Sequence, residues 1–222
     1  MDKKQLRKEL VEIGKRIAEE NLVIGPGGNS SARLGNIVYM KASGIPFESA
    51  KEEHYVGIDL KSGKSVDGKL KPSCEISMHL GCYKVRNDIG AVIHSHGPFS
   101  VAWGMSGKTL KLFTPDFIAV VGTEIPTIKY VLPSTKTLAS EVQKVIKKYN
   151  GVILANHGVL TVGANLKEAF YRTLLVEDAI RTIMIASMLG TKMHYFTEKE
   201  FCGVDNLKAE SYRRKLLKKS SS

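Results

Sequence analysis

The chain has 222 residues, 43% of them hydrophobic, which is enough for one sizeable core, and we expect a single domain over residues 1–222. No apolar run approaches the roughly 20 residues of a membrane-spanning helix, and the charged start MDKKQLRKEL lacks a signal-peptide core, so we expect a cytoplasmic protein with no membrane partner. The formal net charge of +11 would suit nucleic acid, but the lysines are dense only at the two ends and are not interleaved with aromatic residues, which argues against such a partner.

Hydrophobic periodicity and turn residues predict the secondary structure. The first element is an amphipathic helix over 2–21, whose leucines and isoleucines recur at steps of three and four behind Asp2 as N-cap. The following elements are, in chain order, a loop over 24–36, a strand and turn over 37–44, a strand entering a Gly-containing hairpin over 54–66, a helix over 72–86 capped by Ser73, a strand over 89–96, a short helix over 98–104, a strand over 117–122, a helix over 134–149, a hairpin over 151–163, a helix over 165–189 and a basic, mobile tail from about 217. Because strands and helices do not alternate strictly and hairpins are frequent, the pattern favours an α/β fold with a mixed, largely antiparallel sheet over a doubly wound parallel one.

Three histidines form the strongest functional signal. His94 and His96 lie two residues apart in the apolar stretch IGAVIHSH, and His157 lies in the turn-like ANHG. Alternate side chains of a strand share a face, so the first two would project together, and a later turn could bring the third. Three neutral imidazoles with an open position are typical of a catalytic divalent metal, most often zinc, with Co²⁺ or Mn²⁺ as alternatives. The competing hypothesis is that unrelated histidines pack at strand ends.

Three short segments carry groups that could bind an anion. Residues 25–31, GPGGNSS, contain glycines that let the backbone fold tightly and expose N–H groups, together with side-chain donors. The segment is not a Walker loop, because no Lys followed by Ser or Thr closes it, and it could be an ordinary turn. Segments 42–44 and 72–74 could join it, since Ser73 precedes a predicted helix N-terminus, a favourable place for an anion.

Glu75 is a candidate acid–base group. A carboxylate in a first helical turn has an ordinary explanation in the helix dipole. Beside a divalent cation it can instead be a ligand in the free enzyme and a proton-transferring base when substrate displaces it. His79 would share its helix face, which makes Glu75 and His79 a rival metal motif without an obvious third ligand. His54 and His194 have no companions and are expected at the surface.

With these residues identified, the chain resembles the class II aldolase and epimerase family. The matching stretches are GGNSS (27–31), KASGIPFE (41–48), GKLKPSCEISMH (68–79), AVIHSHGPFS (91–100) and VILANHGVLTVG (152–163), in the family's order. The resemblance covers about residues 5–195. The combination of HSH, NHG and the PSxE element is specific, whereas the glycine loop alone is not.

The resemblance implies roles for particular residues and an assembly. It implies that His94, His96 and His157 bind zinc and that Glu75 shuttles a proton. It also implies a three-layer αβα subunit in a fourfold-symmetric homotetramer with sites at subunit boundaries. The substrate would be a small sugar phosphate, whose phosphate pocket would be lined by Gly28, Asn29, Ser43, Gly44, Ser73 and Cys74, the last replacing a serine common in the family.

The implied reaction is the reversible cleavage of a ketose 1-phosphate of the L-fuculose-1-phosphate type to dihydroxyacetone phosphate and an aldehyde. Two departures bear on it. No tyrosine lies between Tyr83 and Tyr130, where the fuculose enzymes carry one. Asp116 and Phe117 instead echo an epimerase motif, which makes Asp116 a second catalytic candidate. The epimerases, however, have aspartate at the position of Glu75, and this favours the aldolase. A 4-epimerase, a decarboxylase or dehydratase, and a non-catalytic scaffold are the alternatives.

Overall fold

The computed structural model describes residues 1–111, 114–190 and 192–219. Within this part of the chain the helices are α1 Lys3–Glu19, α2 Ile76–Val85, α3 Pro98–Met105, α4 Pro115–Val120, α5 Lys136–Ile146, α6 Leu166–Ser187, α7 Glu198–Asp205 and α8 Lys208–Lys218. The strands are β1 Asn29–Leu34, β2 Ile37–Lys41, β3 Tyr55–Asp59, β4 Ser65–Asp67, β5 Ala91–Ser95, β6 Leu110–Lys111, β7 Glu124–Ile125, β8 Thr127–Ile128, β9 Gly151–Leu154 and β10 Gly158–Gly163.

A mixed, largely antiparallel sheet forms the centre of the molecule, as the sequence predicts. Its strand order in the described residues is β4-β3-β2-β1-β5-β10-β9-β8, and only β8 and β9 run parallel. Strand β5 lies between β1 and β10, with His94 opposite Asn29 on one side and Leu160 on the other. The end of β5 is therefore enclosed by backbone on both edges, which fixes the position of any side chain that it carries.

Helices cover both faces of this sheet, giving the three-layer αβα arrangement. Alternate residues of β5 face opposite layers: Val92 packs in a core with α2 and α5, whereas Ala91 and Ile93 pack in a core with α1 and α6. Helix α1 begins after Asp2, whose side chain accepts a hydrogen bond from the Gln5 N–H, as predicted. Its apolar stripe is buried against the sheet: Leu6, Leu10, Ile13 and Ile17.

One predicted strand is wrong. The stretch FIAVVG, predicted as a strand over 117–122, instead begins within helix α4. Thr114 caps this helix by accepting a hydrogen bond from the Phe117 N–H, and Pro115 occupies its first turn with a suitable fixed φ. These start signals, together with burial of the apolar residues against α6, outweigh the strand preference of the β-branched residues.

Two boundaries also differ from the sequence prediction. The predicted loop over 24–36 contains strand β1, because its polar Asn-Ser-Ser stretch pairs with both β2 and β5. Helix α2 begins at Ile76 with Glu75 as N-cap, so Ser73 is not the cap. The Ser73 hydroxyl accepts a bond from the Glu75 N–H at 3.3 Å, within the turn that precedes α2.

The C-terminal residues add two helices that periodicity did not reveal. Helix α8 runs to Lys218 and is fixed by a hydrogen bond from the Asn165 side chain to the Leu217 carbonyl. Residues 220–222 lie outside the described residues, and the mobility of the tail stays a prediction. None of the described helices combines the length and the hydrophobicity required to span a bilayer.

Candidate metal centre

The first two histidines lie at the end of β5. His94 is the fourth residue of the strand and is completely buried, and His96 follows just after the strand ends. Their Nε2 atoms are 2.9 Å apart. The Nδ1 atom of His94 is 3.0 Å from the Val159 carbonyl, which can only accept, so Nδ1 carries the proton and Nε2 directs a lone pair toward His96.

The third histidine reaches the first two because of a tight turn between β9 and β10. Asn156 adopts a left-handed conformation (φ 58°), which asparagine tolerates better than most residues. Gly158 passes so close to β5 that a Cβ there would lie 2.1 Å from the Ser95 carbonyl oxygen, so only glycine fits. The turn places His157 Nε2 3.3 Å from His94 Nε2.

Glu75 completes the cluster. Its Oε2 lies 3.3 Å from His94 Nε2, and its Oε1 lies 3.5 Å from His157 Nε2. One ligand atom from each of Glu75, His94, His96 and His157 lies within 4.8 Å of the others, so the four could hold a metal ion together. Imidazole nitrogens and a carboxylate oxygen suit zinc and related transition metals.

The electrostatics of the cluster favour neutral histidines. Burial lowers the pKa of His94 well below its usual value, and the neighbouring His96 and His157 lower it further. Burial is also the main cause of the lowered pKa values of His96 and His157. Neutral imidazole is the form that binds a metal. Glu75 Oε1, which lies beside His157 Nε2, is buried without a hydrogen-bond partner, so the donor set fits an added cation.

Asn29 is nearer to the acid–base group than the sequence suggested. Its Nδ2 donates to Glu75 Oε2 at 2.9 Å, and its own Oδ1 is buried without a partner. The antiparallel register places Asn29 opposite His94, which explains how residues far apart in the chain meet at Glu75. The predicted phosphate-binding role of Asn29 stays a prediction, and the described geometry adds that Asn29 orients the carboxylate.

The rival pair of Glu75 and His79 is not brought together with a third ligand. His79 is buried behind the cluster, with Nδ1 2.8 Å from the Ser31 hydroxyl, which is itself 2.8 Å from the Tyr83 hydroxyl. Burial lowers the pKa of His79 to about 3, so it is a neutral packed residue.

The two histidines without companions lie elsewhere, as expected. His54 is only partly exposed and accepts from the Lys51 N–H at 3.1 Å. His194 is exposed and lies 3.3 Å from Glu200. Neither belongs to the four-residue group.

Two of the three predicted anion segments lie side by side. An isolated bridge pairs Ala42 with Pro72, the Ser43 N–H donates to the Lys71 carbonyl, and the Ser73 N–H donates to the Lys41 carbonyl, both at 3.0 Å. Among the predicted pocket residues, Ser43, Gly44 and Cys74 are exposed and Ser73 is buried.

The glycine segment contacts the metal cluster directly. A Cβ on Gly27 would lie 3.0 Å from His96 Nδ1, and one on Gly28 would lie 2.9 Å from the His94 carbonyl oxygen. Gly28 also has φ 63°, which favours glycine. The glycine segment and the histidines are therefore adjacent in space.

Asp116 is not part of this cluster. It lies in the first turn of α4, where it is exposed and forms an ion pair with Arg213 of α8. Residues 112 and 113, in the segment where a family tyrosine would be expected, lie outside the described residues. The catalytic role of Asp116 stays a prediction.

Sequence reasoning missed Glu177, a buried residue of α6. Its two carboxylate oxygens accept bonds from the N–H groups of Phe99 and Ser100, at 3.1 and 3.0 Å, at the start of α3. Because α3 begins directly after His96 and Gly97, Glu177 fixes the backbone that follows His96. Burial raises the pKa of Glu177. A glutamate inside a long helical pattern gave no local signal for this role.

Comparison with known proteins identifies the family. The family model for the class II aldolase and adducin N-terminal domain matches residues 8–184. The L-fuculose phosphate aldolase of Methanococcus maripaludis strain S2 is 32% identical over 181 residues, covering 82% of this chain and 97% of that protein. The 5-deoxy-D-ribulose 1-phosphate aldolase of Bacillus thuringiensis serovar kurstaki is 34% identical over 166 residues, covering 74% of this chain and 77% of that protein.

Solved structures give the same result. A structure of L-fuculose 1-phosphate aldolase superposes with a TM-score of 0.86 at 30% identity, covering 94% of this chain and 96% of that one. YgbL of Klebsiella pneumoniae, described as an aldolase/epimerase/decarboxylase, superposes with a TM-score of 0.84 at 26% identity, covering 92% and 99%. The chain belongs to the class II aldolase family. It is an enzyme of that family, and its histidine and glutamate cluster is consistent with metal dependence.

Proposed function

We propose that this enzyme catalyses the reversible cleavage of a ketose 1-phosphate of the L-fuculose-1-phosphate type to dihydroxyacetone phosphate and an aldehyde. The convergence of three neutral imidazoles and one carboxylate within 4.8 Å is the observation that carries the proposal. The similarity to proteins named L-fuculose phosphate aldolase and 5-deoxy-D-ribulose 1-phosphate aldolase supports the substrate class.

His94, His96 and His157 would hold a zinc ion, with Glu75 as a fourth ligand in the free enzyme. A bound divalent cation would supply Lewis-acid stabilisation of the negative charge that the dihydroxyacetone phosphate fragment acquires when the C3–C4 bond breaks. The lone pair that His94 Nε2 directs into the cluster, fixed by the Val159 carbonyl, supports this assignment.

Glu75 would move the proton at the substrate carbon. Its carboxylate is buried beside the histidines. A substrate that displaced this carboxylate from the metal would therefore lie directly next to it. The bond from Asn29 Nδ2 keeps Oε2 oriented and leaves Oε1 without a hydrogen-bond partner. In cleavage Glu75 would protonate the carbanionic carbon, and in synthesis it would remove that proton.

The substrate phosphate would bind where the anion segments meet. Ser43, Gly44, Ser73 and Cys74, from the two segments joined by the Ala42–Pro72 bridge, would supply donors on one side. Gly28 and Asn29, at the end of the glycine segment, would supply them on the other. The proximity of Gly27 and Gly28 to the histidines supports a phosphate placed close to the reacting carbons.

The assembly belongs to the same proposal. We infer a single-domain cytoplasmic protein that forms a homotetramer with sites at subunit boundaries and has no nucleic-acid partner. Exposure of Asp116 at the surface is compatible with a role toward a neighbouring copy. Size-exclusion chromatography with light scattering tests the oligomeric state, and a monomer would contradict it.

Incubation of the zinc-loaded protein with dihydroxyacetone phosphate and a panel of short aldehydes tests the reaction. We expect ketose 1-phosphates, detected by mass and by loss of aldehyde. Glu75→Gln should lower turnover by about 10²- to 10⁴-fold while most of the metal stays bound, as expected for loss of an acid–base group. Adduct formation with no aldehyde, or full activity in Glu75→Gln, would contradict the proposal.

A 4-epimerase, or a decarboxylase or dehydratase acting on a related sugar phosphate, is the second candidate. The absence of tyrosine between Tyr83 and Tyr130, together with Asp116 and Phe117, favours it, and the description of YgbL includes epimerase and decarboxylase. An epimerase would convert L-ribulose 5-phosphate with no change in mass. Product mass and stereochemistry separate these reactions from aldol cleavage.

A further inference from the structure

His96 lies just beyond the strand pairing that fixes His94. The pairing of β5 with β10 ends at Ser95, opposite Val159, whereas His94 lies within it and is also held by the Val159 carbonyl at its Nδ1. Among the described residues, the His96 ring has a hydrogen-bond contact only through its Nε2, with His94. The place of this ring in the cluster therefore depends on the backbone that precedes and follows it.

Contacts with other segments fix that backbone on both sides of His96. The His96 N–H donates to the Leu22 carbonyl at 2.9 Å, in the segment after α1. On the other side the chain passes through Gly97, the N-cap residue of α3, into the helix that begins at Pro98. A shift of α3 would therefore move His96, which lies two residues before the first helical residue.

Helix α3 lacks a capping side chain of its own. A capping side chain normally accepts a hydrogen bond from the second or third N–H of its helix, but Gly97 has no side chain. Pro98, at the first helical position, has no N–H, and the Val101 N–H donates to the Gly97 carbonyl at 3.0 Å. The N–H groups of Phe99 and Ser100 are therefore the two in the first turn that need an acceptor from elsewhere.

Glu177 of α6 supplies this acceptor. Its relative exposure is 6%, and its two oxygens accept from the Phe99 N–H at 3.1 Å and from the Ser100 N–H at 3.0 Å. A Cβ on Gly97 would lie 2.2 Å from Glu177 Oε1, so the carboxylate occupies the space of the missing capping side chain. Two hydrogen bonds thus attach the start of α3 to α6, within four residues of His96.

We propose that Glu177 is a positioning residue for the metal ligand His96: its carboxylate caps α3 from a neighbouring helix and thereby holds the His96 imidazole in the geometry that the metal requires. The inference rests on the proposed function for the metal, and it is independent of which reaction the metal supports. Groups behind the ligands commonly change metal affinity by about 10- to 100-fold because they orient the ligands. Glu177 acts through the backbone of residues 97–100 and needs no contact with the metal.

Glu177→Gln tests the proposal, because it keeps the shape of the side chain and replaces one accepting oxygen by an NH₂ group. That group would face a backbone N–H, so one of the two hydrogen bonds is lost. The affinity for zinc, measured by competition with a chelator of known affinity, should fall by at least about tenfold. The visible absorption spectrum of the Co²⁺-loaded protein should also change, because it reports the geometry of the ligands around the metal.

Glu168→Gln is the matched control. It changes another buried glutamate of α6, whose partner is Arg172 and which does not belong to the metal cluster. This variant should be less stable but should keep the zinc affinity and the Co²⁺ spectrum of the wild type. An equal loss of zinc affinity in Glu168→Gln would attribute the effect to general destabilisation and overturn the proposal, as would wild-type affinity and spectrum in Glu177→Gln. Failure of the wild-type protein to bind zinc or Co²⁺ would instead remove the metal site from the proposed function.

If Glu177→Gln does not fold, Gly97→Ala decides. The backbone of Gly97, with φ −58° and ψ 141°, suits alanine, so the substitution acts through its contact with the carboxylate. The added Cβ would displace Glu177 Oε1 while the charge of Glu177 stays in the chain. We expect the same loss of zinc affinity and the same kind of change in the Co²⁺ spectrum. Wild-type values for both in Gly97→Ala would overturn the role of Glu177.

Discussion

Two buried polar clusters lie near opposite ends of β10, and they differ in how completely their atoms are paired. At one, Arg172 of α6 donates to the Val120 and Val162 carbonyls and to Glu168, with distances of 2.6–2.9 Å. Glu168 in turn accepts from the Ala164 N–H at 2.6 Å. Each of the three guanidinium nitrogens of Arg172 donates a hydrogen bond, and the network joins α4, α6 and β10.

The histidine cluster is the opposite case. The Nε2 atoms of His94 and His96 face each other at 2.9 Å, and Glu75 Oε1 and the Oδ1 of its partner Asn29 lack hydrogen-bond partners. Buried polar atoms that a fold leaves unpaired cost stability, so a cluster with several of them indicates a ligand. Burial of polar groups alone therefore does not mark a functional site, whereas burial of polar atoms without hydrogen-bond partners does.

Removing a cluster histidine gives the largest expected effect. His94→Ala should reduce bound zinc from about one per chain to less than about a tenth of that, and abolish turnover, because one of three neutral ligands is lost. Elemental analysis and the aldol assay measure this. His194→Ala, at an exposed position outside the cluster, is the control and should behave as wild type. Normal metal content in His94→Ala would contradict the inference that the unpaired buried atoms of this cluster indicate metal binding.

Breaking the paired cluster should affect folding rather than metal. Arg172→Met leaves Glu168 as a buried charge without its partner and should lower the free energy of unfolding by about 3–5 kcal/mol. Urea denaturation measures this loss, and metal content of the folded fraction should not change. The double variant Arg172→Met with Glu168→Gln should recover part of the stability. A stable Arg172→Met, or one that loses zinc selectively, would contradict the division between the two clusters.

Local pattern was enough for much of the fold. The spacing of apolar residues predicted α1, Asn165 as cap and Gly190 as stop predicted α6, and ANHG with its flanking apolar runs predicted the β9–β10 hairpin. Alternation along β5 correctly indicated that His94 and His96 project together. The helix α4 was missed because its β-branched residues resemble a strand, while its start depends on Thr114 and Pro115 just upstream.

The remaining features of the site depend on pairing between distant segments. That Asn29 meets Glu75 follows from the register of β1 on β5, which no periodicity in the sequence specifies. Glu177 looked like one of many acidic residues, and its contact with the start of α3 results from the packing of α6 against that helix. Sequence therefore predicted which residue types form the site, and tertiary pairing decides which of them touch.

The smallest expected effect concerns Glu177, which shares features of both clusters: it is buried and hydrogen-bonded, yet its pKa is raised by burial. Because its pKa is raised, the folded chain binds the Glu177 carboxyl proton more tightly than the unfolded chain does. Between the ordinary pKa of a glutamate and this raised pKa, the free energy of unfolding therefore falls as pH rises, by at most about 1.4 kcal/mol per pH unit. Glu177→Gln cannot titrate and should lack this decline in urea denaturation between pH 4.5 and 7. Asp178→Asn, the exposed neighbour on α6, should keep it. Parallel curves for wild type and Glu177→Gln would mean that the backbone N–H groups of Phe99 and Ser100 offset the cost of burying the charge.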